Sequence, residues 1–379
     1  MSKIFERKGP VPADRARCAQ LLPSVSRTFA ITIRVLPGSL RDAVTIAYLL
    51  CRIADVFEDS NRIDPRTRKG KLLSMAEAFA AITDRSDDAE GDGHERDRRA
   101  RERLLSCLDD CDAWPDMDEA SRALLESGEA VVRAFHSLPP ITRGIIAHWV
   151  EAMARGMAGF VERELEPQSA DGLLFKLHTW EEMRSYAYCV AGTVGYLLTE
   201  LFTHDLRLGD TQKTARLRDL AGSFGLGLQL TNILQDLSED RVRGWSYIPE
   251  ELATRHGTTI ARLQQESDRA AALRVIADLI EEAAAHLDAA MEFTLLIPRH
   301  APRIRLFCLW PIFFARRTLV KLWGEPAVLD GGEKVRISRS EVRSLMRQTI
   351  SGCLSDRRLL QLYENERGRL RERMAVRPV

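Results

Sequence analysis

Helical periodicity runs through almost the whole chain, and the alternation expected of strands is scarce. Segments rich in Ala, Leu, Arg and Glu recur at 14–35, 38–58, 118–135, 143–163, 180–204, 215–240, 258–295 and 302–323. Their apolar residues return every three or four positions, as on one face of an α-helix. Pro and Gly fall mostly between them, at Pro37-Gly38, Pro139-Pro140, Pro167, Gly209, Gly244, Pro298 and Gly331-Gly332, where they punctuate helices. A helix must bury its apolar stripe against another element, so the expected fold is an all-α, single-domain bundle spanning residues 1–379. With 45% hydrophobic residues the chain has ample material for its core. One stretch breaks the pattern. Residues 84–102 (DRSDDAEGDGHERDRRARE) are almost wholly charged or small, have little to bury, and are expected to form a mobile insertion between helices.

Charge narrows the partners. Lys+Arg and Asp+Glu both number 55, so nothing in the net charge draws the chain to nucleic acid. The neutrality is uneven, because residues 301–379 hold 17 basic against 8 acidic residues. No apolar run, LFCLWPIFFA (306–315) included, approaches the roughly 20 residues that span a bilayer. The N-terminal MSKIFERKGP has no apolar core of the secretory-signal kind. The seven cysteines are scattered, and the lone C-x3-C of Cys107 and Cys111 is a weak zinc signal. Most of the others sit in apolar stretches, where a thiol acts as a small core residue. A cytoplasmic monomer without a transmembrane helix is expected.

Two clusters of acid carry the chemistry. In AVTIAYLLCRIADVFEDS (43–60), Asp55, Glu58 and Asp59 read D-x-x-E-D, and Asp236, Glu239 and Asp240 repeat the pattern in LGLQLTNILQDLSEDRVRG (226–244). At 100° per residue, Tyr48, Arg52, Asp55 and Asp59 fall within roughly 60° of arc, and Gln229, Asn232, Asp236 and Asp240 within roughly 80°. Most charge clusters are solvated helix faces, and a single one here would be read so. Like charges at i,i+4 destabilise a helix, however, and both clusters carry such a pair beside Gln, Asn, Tyr or Arg. Close carboxylates call for a cation, and hard oxygen donors on a helix face suit Mg²⁺ bridging to substrate phosphates. Two such faces would clamp a diphosphate.

The chain resembles the squalene/phytoene synthase family of head-to-head prenyltransferases. The resemblance is carried by SVSRTFAITIRVLPGSLRDAV (24–44), YLLCRIADVFED (48–59), GMAGFV (156–161), SYAYCVAGTVG (185–195) and LQLTNILQDLSEDRVRGWSYIP (228–249) in that order. It implies an isoprenoid-synthase-type bundle around a central apolar cavity. It also implies that two farnesyl diphosphates condense: one ionises, the double bond of the other attacks its allylic cation, and proton loss leaves a cyclopropylcarbinyl diphosphate. In the reductive members this ionises, rearranges and takes hydride from NADPH. By the same resemblance Asp55, Asp59, Asp236 and Asp240 would hold Mg²⁺, with Glu58, Glu239 and Asn232 supporting. Ser26, Arg27, Phe29, Tyr48, Arg52, Val190, Gly192 and Gln229 would contact substrate, and Tyr186 would move a proton or stabilise cations; a buried packing tyrosine is the plain alternative.

A C-terminal extension from about residue 324 resembles that of the reductive enzymes, and Lys334 and Arg336 in it would bind NADPH. No G-x-G-x-x-G is present, since GSFGLG (222–227) has the wrong spacing. The arginines that follow, Arg357, Arg358, Arg367, Arg369, Arg371 and Arg373, suggest peripheral contact with an anionic membrane or simply a solvated helix. Three positions depart from the family pattern: Gln235 where Arg is common, Trp245 where a polar residue is usual, and Ser60 in place of a third acid. They leave the product open between squalene and a dehydrosqualene, phytoene or hydroxysqualene product. A terpene cyclase on the same scaffold, or a non-catalytic prenyl-lipid binder, is the remaining alternative.

Overall fold

The computed structural model describes residues 13–83, 93–111, 114–115, 117–165, 173–330 and 334–375. Among these it is all-α, with sixteen α-helices. The first half contains α1 (Ala13–Val25), α2 (Arg27–Val35), α3 (Gly38–Asp59), α4 (Pro65–Thr83), α5 (Gly93–Ser106), α6 (Glu119–Glu126), α7 (Gly128–His136) and α8 (Pro140–Glu162). Then come α9 (Trp180–Ala187), α10 (Thr193–Asp205), α11 (Gln212–Val242), α12 (Glu250–Arg255), α13 (Arg269–Leu296), α14 (Pro302–Leu322), α15 (Arg339–Gly352) and α16 (Asp356–Met374). A π-helical turn, Tyr188–Gly192, joins α9 to α10 without a break. The one strand pairing among the described residues is a two-residue parallel ladder, Phe175 opposite Trp245 and Lys176 opposite Ser246.

Boundaries follow local chemistry. Ser26 divides the helix expected over 14–35, because its hydroxyl accepts the Phe29 N–H and starts α2 afresh. Pro140 begins α8, where a missing N–H costs nothing. Ser338 and Glu341 form a reciprocal capping box that opens α15.

The charged stretch expected to be a mobile insertion is, from Gly93 onward, helix α5; residues 84–92 lie outside the described residues. Arg98 bridges Glu95 and Glu102 at 2.6 Å each, and Arg99 meets Glu95 at 3.0 Å. Such i,i+3 and i,i+4 pairs stabilise a helix, while Ala100 and Leu104 are buried. Composition concealed that stripe. The seven cysteines are free thiols, and all but Cys189 are buried.

The C-terminal extension is no loose tail. Leu359, Tyr363, Glu366 and Leu370 are buried, and their spacing of four and three sets one face of α16 inward. Arg317 of α14 holds Glu366 through two bonds of 2.6 and 2.7 Å, and Tyr363 donates to Asp288 at 2.9 Å. Several of the basic residues are paired on the protein itself: Arg367 with Asp288, Arg369 with Glu366, Arg371 with Glu364. No helix among the described residues is long and apolar enough to cross a membrane.

Two apolar cores divide the bundle. One gathers α1–α4, α7, α8 and much of α14; the other gathers the segment after Leu173, the later turns of α11, and α13. Arg68 of α4 is wholly buried in the first half of the bundle. Its guanidinium donates to Glu58 O at 2.5 Å and Ile63 O at 3.1 Å, and to the Glu164 carboxylate at 2.5 Å. It thus occupies the Glu58 carbonyl at the end of α3, which no helical N–H reaches, and the Ile63 carbonyl in the turn that follows. Removing one partner of a buried ion pair costs about 3–5 kcal/mol. R68M is accordingly expected to lower the unfolding free energy by that amount in urea titrations, whereas a loss below about 1 kcal/mol would refute the clamp.

Candidate active site

A cavity of about 380 Å³ lies where the two cores meet, within the range of small-molecule sites. Helices α3 and α11 supply most of its wall. Their earlier turns contribute Val44, Ala47, Phe224 and Leu228; their last turns contribute Asp55, Asp59, Asp236 and Asp240. Over roughly 20 Å of each helix, at 1.5 Å per residue, the lining therefore passes from apolar to acidic. Phe29, Ile33, Met153, Leu197, Leu198 and Phe307 complete the apolar part.

The narrow waist depends on glycine. A Cβ on Gly195 would run into the carbonyl of Ala221, and one on Gly225 into the carbonyl of Ala191. Only hydrogen at these positions lets the helix that follows the π turn pack this closely on α11.

Both acidic sets face one space. Asp55 and Asp59 are about a third exposed, at 32% and 41%, and Asp236 is 38% exposed, so they are ringed by protein yet reached by the water of the cavity. Desolvation raises the Asp55 carboxyl to about 6, with Arg52 opposing and the charge of Asp59 adding. Desolvation likewise raises Asp240 to about 7, with Asp236 adding. Asp59 is also raised by burial and feels Asp236, so the two motifs interact across the cavity. Arg52 lies 3.4 Å from Asp55 and 3.7 Å from Asp59. Glu58 is buried, and burial with its acidic neighbours pushes its carboxyl well up.

The Tyr186 ring is buried and stacks on Tyr247, centroids 4.6 Å apart and planes 23° from parallel. Burial raises both phenols, and the Glu58 carboxylate adds to it.

Most of the expected residues converge here: Phe29, Tyr48, Arg52, Asp55, Glu58, Asp59, Tyr186, Val190, Gln229, Asn232, Asp236 and Asp240 all line the cavity. Five lie off its wall. Ser26 caps α2, with its hydroxyl toward Tyr48. Gly192 is buried beneath Tyr188 and Leu226. Glu239 and Lys334 form an ion pair at 3.3 Å, and the same ammonium contacts Asp236. Arg336 is exposed. Arg27 opens α2, and its side chain lies outside the described residues. Sequence reasoning missed Arg243 and Tyr247, which also line the cavity; both stand in the 228–249 segment that carried the resemblance, the only signal available.

The donor set fits a hard divalent cation. Asp236 Oδ1 is buried and meets only the Lys334 ammonium, and Asp59 and Asp240 each feel the charge of Asp236. No group of three metal-ligating residues converges among the described residues. Mg²⁺ takes one or two carboxylates and completes its shell with water and phosphate, a demand that paired aspartates on facing helices can meet.

Residues 22–341 match the model of the family described as squalene/phytoene synthase. The chain belongs to the squalene/phytoene synthase family. It is 27% identical to the squalene synthase of Cyberlindnera jadinii over 90% of this chain and 69% of that protein. It is 29% identical to that of Saccharomyces cerevisiae over 89% of this chain and 68% of that one. The solved structure of TcSQS with the ligand BPH1237 superposes with a TM-score of 0.72 at 25% identity, covering 94% of this chain and 91% of that one. A dehydrosqualene synthase structure shares the fold, with a TM-score of 0.55 at 21% identity over 89% of this chain and 96% of that one. The chain is therefore a prenyltransferase-type enzyme of isoprenoid biosynthesis.

The raised carboxyls fix a sign for pH. Asp55 and Asp240, ordinarily near 3.8, bind protons more tightly folded than unfolded. Their contribution to stability is thus present at low pH and lost as pH rises through about 6 to 7. In EDTA, the urea midpoint is expected to rise between pH 8 and pH 6, and D55N/D240N to flatten that rise. A flat wild-type profile would refute the assignment.

Proposed function

We propose that this enzyme condenses two farnesyl diphosphates head to head and reduces the cyclopropylcarbinyl diphosphate to squalene with NADPH. The observation that carries the reading is the polarity of the cavity: an apolar chamber whose rim holds two facing acidic motifs. A prenyl tail fits the apolar part and leaves its diphosphate among Asp55, Asp59, Asp236 and Asp240. Mg²⁺ held by these residues would neutralise the departing diphosphate and lower the barrier to ionisation.

The chain's own groups do the rest. Arg52 and Arg243 present guanidinium forks at the rim, suited to phosphate oxygens. Phe29, Leu197, Leu198 and Phe224 exclude water, which would otherwise capture a carbocation as an alcohol. The stacked faces of Tyr186 and Tyr247 offer π density to a cation, and their hydroxyls lie close to Glu58, a route for the departing proton. NADPH would supply hydride for the second half-reaction; the exposed Arg336, with Lys334 on the same segment, supports a contact with its phosphates.

Purified enzyme with labelled farnesyl diphosphate and Mg²⁺ is expected to make squalene only when NADPH is present, and to lose turnover in EDTA. D55N and D236N are each expected to reduce turnover by about 10²-fold or more. The absence of any thirty-carbon product would overturn the reading; a thirty-carbon product unchanged by NADPH would move it to the non-reductive branch.

The exposed Arg357 and Arg358 of α16, flanked in sequence by exposed Leu354 and Leu360, support peripheral contact with an anionic bilayer, where an apolar product must go. R357S/R358S is expected to reduce co-sedimentation with anionic vesicles and to leave neutral vesicles unaffected. Equal sedimentation of both proteins would remove that contact.

A further inference from the structure

Each acidic motif keeps a cation of its own, and the two are held differently. On α3 the cation is Arg52, one helical turn before Asp55 and fixed on the same helix. On α11 the corresponding cation comes from about 100 residues away. Lys334 places its ammonium against Asp236 and 3.3 Å from Glu239. The backbone that follows it is anchored twice: Gln235 Nε2 donates to Val335 O at 2.8 Å, and Lys321 Nζ donates to Arg336 O at 3.2 Å. Immediately afterwards the Ser338–Glu341 capping box locks the start of α15. Beyond these anchors, the four-carbon stem of Lys334 is free to rotate.

We propose that Lys334 is a resident counter-cation of the second acidic motif, which a divalent metal must displace from Asp236. The proposal rests on the reading of that motif as a metal site. An ammonium and a metal ion need the same carboxylate oxygens, and both cannot approach them in so small a space. Lysine suits exchange: its charge sits on a flexible stem, with rotatable donors and no planar fork to lock it to one carboxylate. Displacement requires side-chain rotation alone, since the anchoring bonds of Val335 and Arg336 are made by the backbone. A diphosphate arriving with the metal gives the released ammonium a new anionic partner. Metal and diphosphate then bind with positive coupling, and a metal without diphosphate is resisted at this motif. The site is thereby protected from idle metal loading and kept neutral enough to remain folded.

Mn²⁺ binding to the full-length protein, followed by the electron paramagnetic resonance of the free ion, tests this directly. Without pyrophosphate, K334M is expected to bind Mn²⁺ about fivefold more tightly than wild type, the scale of a partly exposed ion pair. K334R, which keeps the charge, is expected to stay near wild type, and D236N to abolish the difference between Lys and Met at 334. Inorganic pyrophosphate is expected to raise Mn²⁺ affinity more in wild type than in K334M. Equal Mn²⁺ affinity of wild type and K334M, or K334R matching K334M, overturns the counter-cation, and equal stimulation by pyrophosphate overturns the transfer of the ammonium. If no variant binds Mn²⁺ even with pyrophosphate, the metal reading itself falls, and the proposal with it.

Discussion

The structure turns on a concentration of negative charge at the rim of an apolar chamber. Asp55, Glu58 and Asp59 close α3, and Asp236, Glu239 and Asp240 close α11. Both motifs therefore sit at the carbonyl ends of long helices, where the macrodipole is already negative and cations are preferred. Helix ends of this kind ordinarily collect Lys or Arg. Here acids crowd the ends of two helices that converge on one cavity, the pattern expected where function overrides stability, although α11 also carries Arg241 in its last turn. The surrounding protein answers with positive groups: Arg68 behind Glu58, Arg52 within the first motif, Arg243 and Lys334 at the second. These do not offset burial, which with the neighbouring acids keeps the carboxyls of Asp55, Asp59 and Asp240 raised. A site left so under-compensated is poised for a divalent cation.

The apolar half of the chamber follows from the same two helices. Along the cavity each passes from apolar lining residues to an acidic end, so in the proposed reaction one helix would provide both a wall for a hydrocarbon chain and a clamp for its charged head. The π turn at Tyr188–Gly192 lies across from this gradient. π turns insert a residue and shift the facing side chains; here Val190 and Ala191 reach the cavity while Gly192 is withdrawn from it. The crossing at Gly195 and Gly225 then brings the helices close along the chamber wall.

How much of this the sequence could reveal depended on whether a residue acted through its own helix. The acidic motifs were legible because i,i+4 repulsion beside Gln, Asn, Tyr and Arg has no structural benefit. The helices were legible from their period, although Ser26 and Ser127 each divide a stretch that reads as continuous. Arg243 and Tyr247 escaped because they follow α11, and what brings Tyr247 back over the cavity is the short parallel ladder with residues 175–176, a contact across seventy residues. Arg68 escaped for a different reason: one buried arginine cannot be told from the other 46 by its letter. In α5 composition misled outright, because ion pairs along the helix and a thin stripe of Ala100 and Leu104 can order a segment that looks too charged to fold.

The three departures from the family pattern acquire different meanings once their neighbours are known. Ser60 is buried, and its hydroxyl donates to Val56 O at 2.7 Å, so it finishes α3 and does not replace an acid ligand. Trp245 is buried in the second core, beyond the wall of the main cavity, and a bulky apolar residue there strengthens the packing under Tyr247. Gln235 is the consequential one. A neutral amide at this position cannot bind a phosphate as a guanidinium would, but it can hold the backbone of Val335, and that backbone delivers Lys334 to Asp236. The positive charge at the second motif has been moved from a rigid helix to a flexible side chain on a separate segment. The first motif retains its cation on the helix itself. The two ends of the clamp therefore differ in how readily they give up their resident charge, an asymmetry that suits the proposed reaction, in which two diphosphate substrates would play different parts, one ionising while the other attacks.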